Sequence, residues 1–237
     1  EGDNGGMPVL CEDDHPVLVK GLKAEFAIDD RPPRMNLVGG LASGATLLEE
    51  TARLQPNVIL LDIEMPGPDV FEVADQLHHM HPRVRFIFLS AHIRDGYLAA
   101  AFKCGAWGYF AKGDDLEDIV SGVVKVARSS ARTFVLGPKV RARCQLARSP
   151  SGTAIGARSR RHNDSAEPAT PLSSLSSREV AVLRLIGKGL SRTQIAKELS
   201  RSAKTIDRHQ ERMIKKLSLA SRADLMRFAI REGFAEA

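Results

Sequence analysis

The feature that most constrains this chain is an alternation of short apolar runs with longer segments of helical periodicity, from Pro8 to about Val140. Such alternation is typical of βα units, in which helices cover a parallel sheet. The apolar runs lie at 9–11, 36–38, 58–61, 84–89 and 108–111, and the helical segments lie near 15–27, 44–54, 69–80, 94–104 and 115–129. We therefore predict an α/β domain with a doubly wound, five-stranded parallel sheet.

Carboxylates follow two strands of this predicted sheet. Asp13 and Asp14 come after the first strand, and Asp62 comes after the third. In a sheet of order 2-1-3-4-5, the carboxyl ends of these two strands are neighbours at the topological switch point, where ligands bind. Like charges this close repel each other unless a divalent cation lies among them.

Two further side chains, Ser90 and Lys112, reach the same edge from the ends of the fourth and fifth strands. An aspartate nucleophile with Mg²⁺, an ammonium and a hydroxyl is the set of groups that phosphoryl transfer uses. Each residue alone has a simpler explanation as a helix cap or an ordinary surface residue. The combination of all five at ordered strand ends favours phosphoryl chemistry.

Four motifs resemble those of the receiver domain of two-component response regulators: CEDDHP at 11–16, LLDIEMPG at 60–67, FLSA at 88–91 and GAWGYFAKG at 105–113. The resemblance covers about residues 7–130. It implies that Asp62 is the phosphoacceptor and that Ser90 and Lys112 contact the phosphoryl group. It also implies that Mg²⁺ is bound by Asp13, Asp14, Asp62 and the backbone carbonyl of Glu64.

Two residues of the last motif leave questions open. By the same resemblance, Tyr109 is the switch aromatic that turns inward when Ser90 engages the phosphoryl group, and packing in the core is the alternative role for this ring. Gly113 stands where the family often has a cis proline, so the turn after Lys112 is not predicted.

Charge divides the chain into unlike parts. Residues 1–140 contain 14 lysines and arginines against 20 aspartates and glutamates, whereas residues 172–237 contain 14 against 7. A basic module of this size is typical of nucleic-acid binding, although a solvated basic face has the same composition. The segment between them is rich in Ser, Gly, Pro, Ala and Arg and lacks apolar periodicity. We therefore expect a receiver domain over 7–130, a linker over 131–171 and a DNA-binding domain over 172–237.

Helix starts are marked by polar residues at capping positions. Ser176 with Glu179 and Ser191 with Gln194 have the spacing of capping boxes. Ser202 is a predicted N-cap of the following helix. In the first domain, Asp114 with Glu117 predicts a capping box for the fifth helix. Together these signals predict a small all-α domain of four helices at the C-terminal end, with a helix-turn-helix inside it.

The segment from Leu175 to Leu217 resembles the LuxR-type DNA-binding domain of the NarL/FixJ response regulators, and the match spans about 172–234. The resemblance places Lys204 and Thr205 near phosphate and Asp207, Arg208 and Glu211 where base-contacting residues lie. Glu211 and Lys215 also have the spacing of an ordinary ion pair along a helix, and the sequence favours neither this interpretation of Glu211 nor a base contact over the other. The predicted DNA-binding residues are Lys204, Thr205, Asp207, Arg208, Glu211, Arg212 and Lys215.

The resulting hypothesis is a cytoplasmic transcription regulator and not an enzyme. A sensor histidine kinase phosphorylates Asp62, and the phosphorylated protein, expected to be a homodimer, binds promoter DNA. The alternatives are a constitutive DNA-binding protein whose receiver serves only for interactions, and a phosphatase that uses an aspartyl phosphate. A phosphatase of the haloacid dehalogenase type needs a DxD motif after the first strand and a cap domain, and the sequence shows neither. Without an apolar run of the required length, no membrane contact is expected.

Overall fold

The structure, a computed structural model, describes residues 6–65, 69–147 and 170–234. Most of the predicted linker, residues 148–169, lies outside the described residues. The chain divides into two compact units, of which the first runs to His92 and resumes at Cys104, and the second contains Ile93–Lys103 and the C-terminal helices. No helix in these ranges has both the length and the apolar composition that crossing a membrane requires.

The first unit contains a parallel sheet of six strands in the order β2-β1-β3-β4-β5-β6. The strands are β1 (Met7–Glu12), β2 (Met35–Leu41), β3 (Val58–Asp62), β4 (Arg85–Ser90), β5 (Gly108–Ala111) and β6 (Val135–Leu136). The order predicted for the first five strands is confirmed, but the predicted number is wrong by one. The sixth strand has only two residues, which pair with Gly108 and Tyr109. A run this short gives no detectable alternation in the sequence.

The helices within the described residues are α1 (Pro16–Ile28), α2 (Leu47–Leu54), α3 (Val70–Met80), α4 (Asp95–Lys103), α5 (Leu116–Arg128), α6 (Pro138–Ala147), α7 (Ser177–Gly187), α8 (Arg192–Glu198), α9 (Ala203–Lys216) and α10 (Arg222–Arg231). Both β6 and α6 fall within the segment that was expected to be linker. The five helices predicted for the first domain are present at the expected places in the chain.

The core that holds the sheet edge in place lies between the sheet and the pair α1 and α5. Strand residues Val9 and Leu60 are completely buried against Val120 and Val123 of α5. Burying such aliphatic side chains contributes roughly 1.5–3 kcal/mol each. Because strands β1 and β3 are buried on both faces, their carboxyl ends are fixed relative to each other.

The second unit contains α4 together with the helices α7 to α10. The predicted capping boxes of α7 and α8 are both present, and Ser202 caps α9 by accepting a hydrogen bond from the backbone N–H of Thr205. Within this unit the Gly96 N–H donates to the carbonyl of Glu232 at 3.1 Å. A Cβ atom at Gly96 would lie 2.5 Å from that carbonyl oxygen, so only glycine allows this approach.

Candidate functional site

Two carboxylates and one ammonium group meet at the carboxyl ends of β1, β3 and β5. The side chains of Asp13 and Asp62 are completely buried, and Lys112 Nζ lies 2.6 Å from Asp62 Oδ2 and 3.0 Å from Asp13 Oδ2. Parallel pairing sets this geometry, since Glu12 pairs with Leu61 and Ser90 pairs with Ala111. The structure therefore brings together three of the side chains predicted to form the site.

The charges at this edge depend on burial. Burial acts to lower the pKa of Lys112, but its contacts with Asp62 and Asp13 outweigh that effect and raise it, so the group stays cationic. Burial, with smaller effects of Asp62 and Asp13, raises the pKa of the neighbouring Glu12 to about 8. Glu12 is thus mostly neutral at pH 7 and adds little negative charge to the site.

The carboxylates also fit a divalent cation. Ligand atoms of Asp13, Asp14, His15 and Asp62 all lie within 4.8 Å of one another. The Oδ2 atom of Asp13 is buried, and it lies 3.0 Å from the ammonium of Lys112. Because carboxylates held this close repel one another, a hard cation among them is a favourable partner. His15 was not among the predicted ligands, and its Nδ1 lies 2.7 Å from Asp14 Oδ1.

Glu64 directs its carboxylate at the loop after β4. Oε2 accepts a hydrogen bond from the Ala91 N–H at 2.9 Å, and Oε1 lies 2.9 Å from Ser90 Oγ, whose single proton it shares with the His92 carbonyl. The His92 N–H lies 3.3 Å from Oε1 and also donates to it. Sequence reasoning assigned the backbone carbonyl of Glu64 to the cation and predicted none of these side-chain contacts, which join segments 26 residues apart.

Two hydroxyl groups share one backbone carbonyl in the same loop. Ser90 Oγ donates to the carbonyl of His92 at 2.6 Å, and the Tyr109 hydroxyl lies 3.4 Å from the same oxygen. The Tyr109 side chain is completely buried. The ring thus points into the protein while the Ser90 hydroxyl is bound to Glu64 and His92.

The turn after Lys112 is held by Asp114. Its carboxylate accepts hydrogen bonds from the backbone N–H groups of Ala111 at 2.9 Å and Lys139 at 3.0 Å. The predicted capping box of Asp114 with Glu117 is therefore wrong, and Asp115 is the N-cap residue of α5. Asp114 instead fixes the end of β5, the strand that delivers Lys112.

In the second unit, Glu179 anchors the helix α9. Its carboxylate accepts a hydrogen bond from the Ser176 N–H at 2.7 Å and one from Lys216 Nζ at 2.6 Å. Burial by itself would raise the pKa of Glu179, but the hydrogen bonds from Lys216 and Ser176 outweigh this effect and lower it. One ionised carboxylate thus caps α7 and holds the last turn of α9 beside it.

The predicted DNA-binding residues lie together on α9, whose opposite face is buried through Ile206 and Met213. Thr205 and Asp207 are half-buried, and Lys204, Arg208, Glu211, Arg212 and Lys215 are exposed. Asp207 forms an ion pair of 3.0 Å with Arg192 at the start of α8. Arg192 was not predicted as part of this surface, because a contact across the turn between two helices leaves no periodic signal in the sequence.

Two family models match the chain. Residues 9–124 match the response regulator receiver domain, and residues 173–229 match the luxR family of bacterial regulatory proteins. The chain is a response regulator of the NarL/FixJ family. With its receiver domain and its LuxR-type domain, it is a DNA-binding regulator of transcription.

Several curated proteins resemble this response regulator over nearly its whole length. The nitrate/nitrite response regulator protein NarL of Escherichia coli K12 is 29% identical over 221 residues, which cover 91% of each chain. The oxygen regulatory protein NreC of Staphylococcus carnosus is 28% identical and covers 95% of this chain and 98% of its own. The response regulator GacA of Pseudomonas aeruginosa is 26% identical and covers 98% and 99%.

Solved structures share the fold. RcsB from Salmonella enterica serovar Typhimurium, bound to promoter P1flhDC in the presence of the phosphomimetic BeF₃⁻, has a TM-score of 0.64 at 20% identity, with 94% of this chain and 98% of that chain covered. A structure of two RcsB dimers bound to two parallel DNAs has a TM-score of 0.59 at 22% identity, with 94% and 98% covered.

Proposed function

We propose that Asp62 accepts a phosphoryl group from a sensor histidine kinase and that this modification controls binding of α9 to promoter DNA. The observation that carries the proposal is the ion-paired triad of Asp13, Asp62 and Lys112 at the switch point of a receiver sheet. In the reaction, a carboxylate oxygen of Asp62 attacks phosphorus, the phosphorus–nitrogen bond of the donor phosphohistidine breaks, and the imidazole leaves.

Each nearby side chain has a distinct task in this reaction. Lys112 Nζ, 2.6 Å from Asp62, neutralises charge on the transferring oxygens as a point charge. The Ser90 hydroxyl donates a hydrogen bond to one phosphoryl oxygen after transfer. Tyr109 is the proposed switch residue, because its hydroxyl shares the His92 carbonyl with that of Ser90.

We propose Mg²⁺ as the cation of this site. Asp13, Asp14, Asp62 and the backbone carbonyl of Glu64 would hold it, since hard oxygen ligands are those that Mg²⁺ prefers. When bound, Mg²⁺ neutralises negative charge on the phosphoryl oxygens. Asp13 supplies a buried carboxylate for it, and the more exposed Asp14 supplies one that solvent can reach.

For DNA, we propose that α9 enters the major groove with Lys204 and Thr205 at the backbone and Asp207, Arg208 and Glu211 facing the bases, flanked by Arg212 and Lys215. The ion pair with Arg192 supports a place for Asp207 in this surface, because a paired carboxylate costs less to bring near phosphates than an unpaired one. We propose that the protein binds DNA as a homodimer, by analogy with the RcsB structure in which dimers bind DNA.

The proposal is tested by incubating the protein with Mg²⁺ and acetyl phosphate and measuring its intact mass. We expect one phosphoryl group on the wild type and none on Asp62→Asn, and we expect chelation of Mg²⁺ to prevent the reaction. Phosphorylation of Asp62→Asn to the same extent would exclude Asp62 as the acceptor. A wild type that takes up no phosphoryl group would favour the alternative, a constitutive DNA-binding protein.

Substitutions on α9 should separate base contacts from backbone contacts. We expect Lys204→Ala to weaken binding almost equally on all sequences and to reduce the slope of log K against log salt concentration by about one unit. Arg208→Ala should instead lower the preference for the specific site by about 1–3 kcal/mol. Binding titrations on specific and random DNA at several salt concentrations measure both effects. An unchanged salt slope in Lys204→Ala would remove this residue from the backbone contacts.

A further inference from the structure

The Glu64 side chain is the feature of the receiver that the proposed function leaves unused. Its backbone carbonyl belongs to the proposed cation site, but its carboxylate turns to the loop after β4 and lies within hydrogen-bond distance of three donors there. The donors are the hydroxyl of Ser90 and the backbone N–H groups of Ala91 and His92. Hydrogen bonds from such donors are stronger to a carboxylate than to a neutral acceptor.

The same donors stand beside the proposed phosphoacceptor. Asp62 pairs with Leu89 in the sheet, so Ser90 and Ala91 follow at once past the end of β3. Ser90 is completely buried, whereas Ala91 is exposed. A phosphoryl group on Asp62 carries negative oxygens that need hydrogen-bond donors, and the Ser90 hydroxyl at the end of β4 and the Ala91 N–H directly after it are donors at this place.

We propose that the Glu64 carboxylate is a stand-in anion that occupies the donors of Ser90 and Ala91 until a phosphoryl group on Asp62 takes them. Glu64 is thus a positioning residue that acts through the loop after β4. This inference rests on the proposed function, since it needs Asp62 as the acceptor. It adds a residue that sets how readily the phosphorylated state forms, because one anion must leave the donors before the other can bind them.

The competition between the two anions predicts the direction in which removing the Glu64 carboxylate shifts the stability of the phosphoryl state. In the unmodified protein, Glu64 stabilises the loop by accepting the Ala91 N–H at 2.9 Å and by sharing the Ser90 proton, also at 2.9 Å, with the His92 carbonyl. These bonds are lost when the donors turn to the phosphoryl group, and the two anions then lie near each other. Removing the carboxylate should therefore favour the phosphoryl state, even though it removes hydrogen bonds from the unmodified one.

The test is a calorimetric titration of the full chain with beryllofluoride, a phosphoryl mimic, at saturating Mg²⁺. We expect Glu64→Ala to bind beryllofluoride about tenfold more tightly than the wild type, since this variant has no hydrogen bonds to a charged side chain to lose when the mimic binds. Glu64→Gln keeps an acceptor of the same length without the charge and should fall between the two. The control is Glu49→Gln, which removes an exposed carboxylate from α2 and should change the affinity by less than about twofold.

The amide proton of Ala91 gives a second readout that a merely structural role of Glu64 would not move. In the wild type this proton is bound to an anion before and after beryllofluoride is added, so its chemical shift should change little. In Glu64→Ala it has no anion beforehand, and beryllofluoride should shift it strongly downfield.

The outcomes separate this inference from the proposed function. If the wild type binds beryllofluoride but Glu64→Ala and Glu64→Gln bind it no more tightly, the stand-in role of Glu64 is wrong and the phosphoacceptor stands. Equal tightening in Glu49→Gln would also overturn the inference, because the effect would then be one of overall charge. If the wild type does not bind beryllofluoride at all, the assignment of Asp62 as phosphoacceptor is wrong, and so is the role of Glu64 that depends on it.

Discussion

Saturating beryllofluoride with Mg²⁺ is expected to tighten binding of the full chain to an operator with two half-sites by at least about fivefold, the lower end of ordinary coupling free energies. Asp62→Asn should show no such gain. The measurement is a gel-shift titration with and without the mimic, combined with sedimentation to record the oligomeric state.

The physical reason lies in the size of one DNA-binding module and in the path of the chain. A single module buries roughly 600–1,000 Å² on DNA, so it binds weakly alone and gains from a tethered partner on the next half-site. The loop of Ser90, Ala91 and His92 leads directly into Ile93, where the second unit begins. The same stretch of backbone therefore connects this loop to the unit that contains the DNA-binding helices, so that a rearrangement of the loop can change that unit.

The matched control for this experiment is Glu49→Gln, which should keep the full gain because its carboxylate lies on the exposed side of α2. Unchanged affinity and an unchanged oligomeric state in the wild type with bound mimic would refute phosphorylation-gated DNA binding. A gain of equal size in Asp62→Asn would place the effect of beryllofluoride elsewhere in the protein.

The sheet and the residues at its edge could be predicted because both follow from local patterns. Runs of three to six apolar residues marked β1 to β5, and parallel order then placed Asp13, Asp62, Ser90 and Lys112 at one edge. β6 could not be predicted in the same way. Its residues, Val135 and Leu136, become a strand only through pairing with β5, and nothing in so short a run distinguishes it from a loop.

Contacts between side chains that are distant in sequence could not be predicted from these local patterns. The spacing of Asp114 and Glu117 predicted a capping box, but Asp114 binds the N–H groups of Ala111 and Lys139 instead, because β5 and the start of α6 meet there. The contact of Glu64 with Ser90 likewise depends on two loops that only the folded sheet brings together. Tertiary contacts of this kind override local propensity.

The strongest effect on stability is expected from Gly122→Ala in α5. Alanine in a helix is ordinarily favoured over glycine by about 1 kcal/mol. Here a Cβ atom would overlap the ring of Phe110, with 2.9 Å to each of the Cε atoms and a still closer approach to Cζ. Phe110 is buried in the core of the receiver, so its ring has little room to move. We expect the free energy of unfolding to fall by about 1–3 kcal/mol, as is typical of overpacked cores.

Gly21→Ala is the matched control, since Gly21 lies in α1, which covers the same face of the sheet. Its Cβ atom would lie 2.8 Å from Cδ1 of Leu116, the end of a flexible side chain that is only partly buried. This variant should be nearly neutral in urea unfolding, whereas Gly122→Ala should show a lower midpoint.

Phe110→Leu combined with Gly122→Ala should recover part of the loss, because the shorter side chain makes room for the methyl group. Equal unfolding midpoints for Gly122→Ala and Gly21→Ala would show that α5 can move away from Phe110. A lower affinity of Gly122→Ala for beryllofluoride is expected as well, because displacing Phe110 disturbs the strand that carries Lys112 to Asp62.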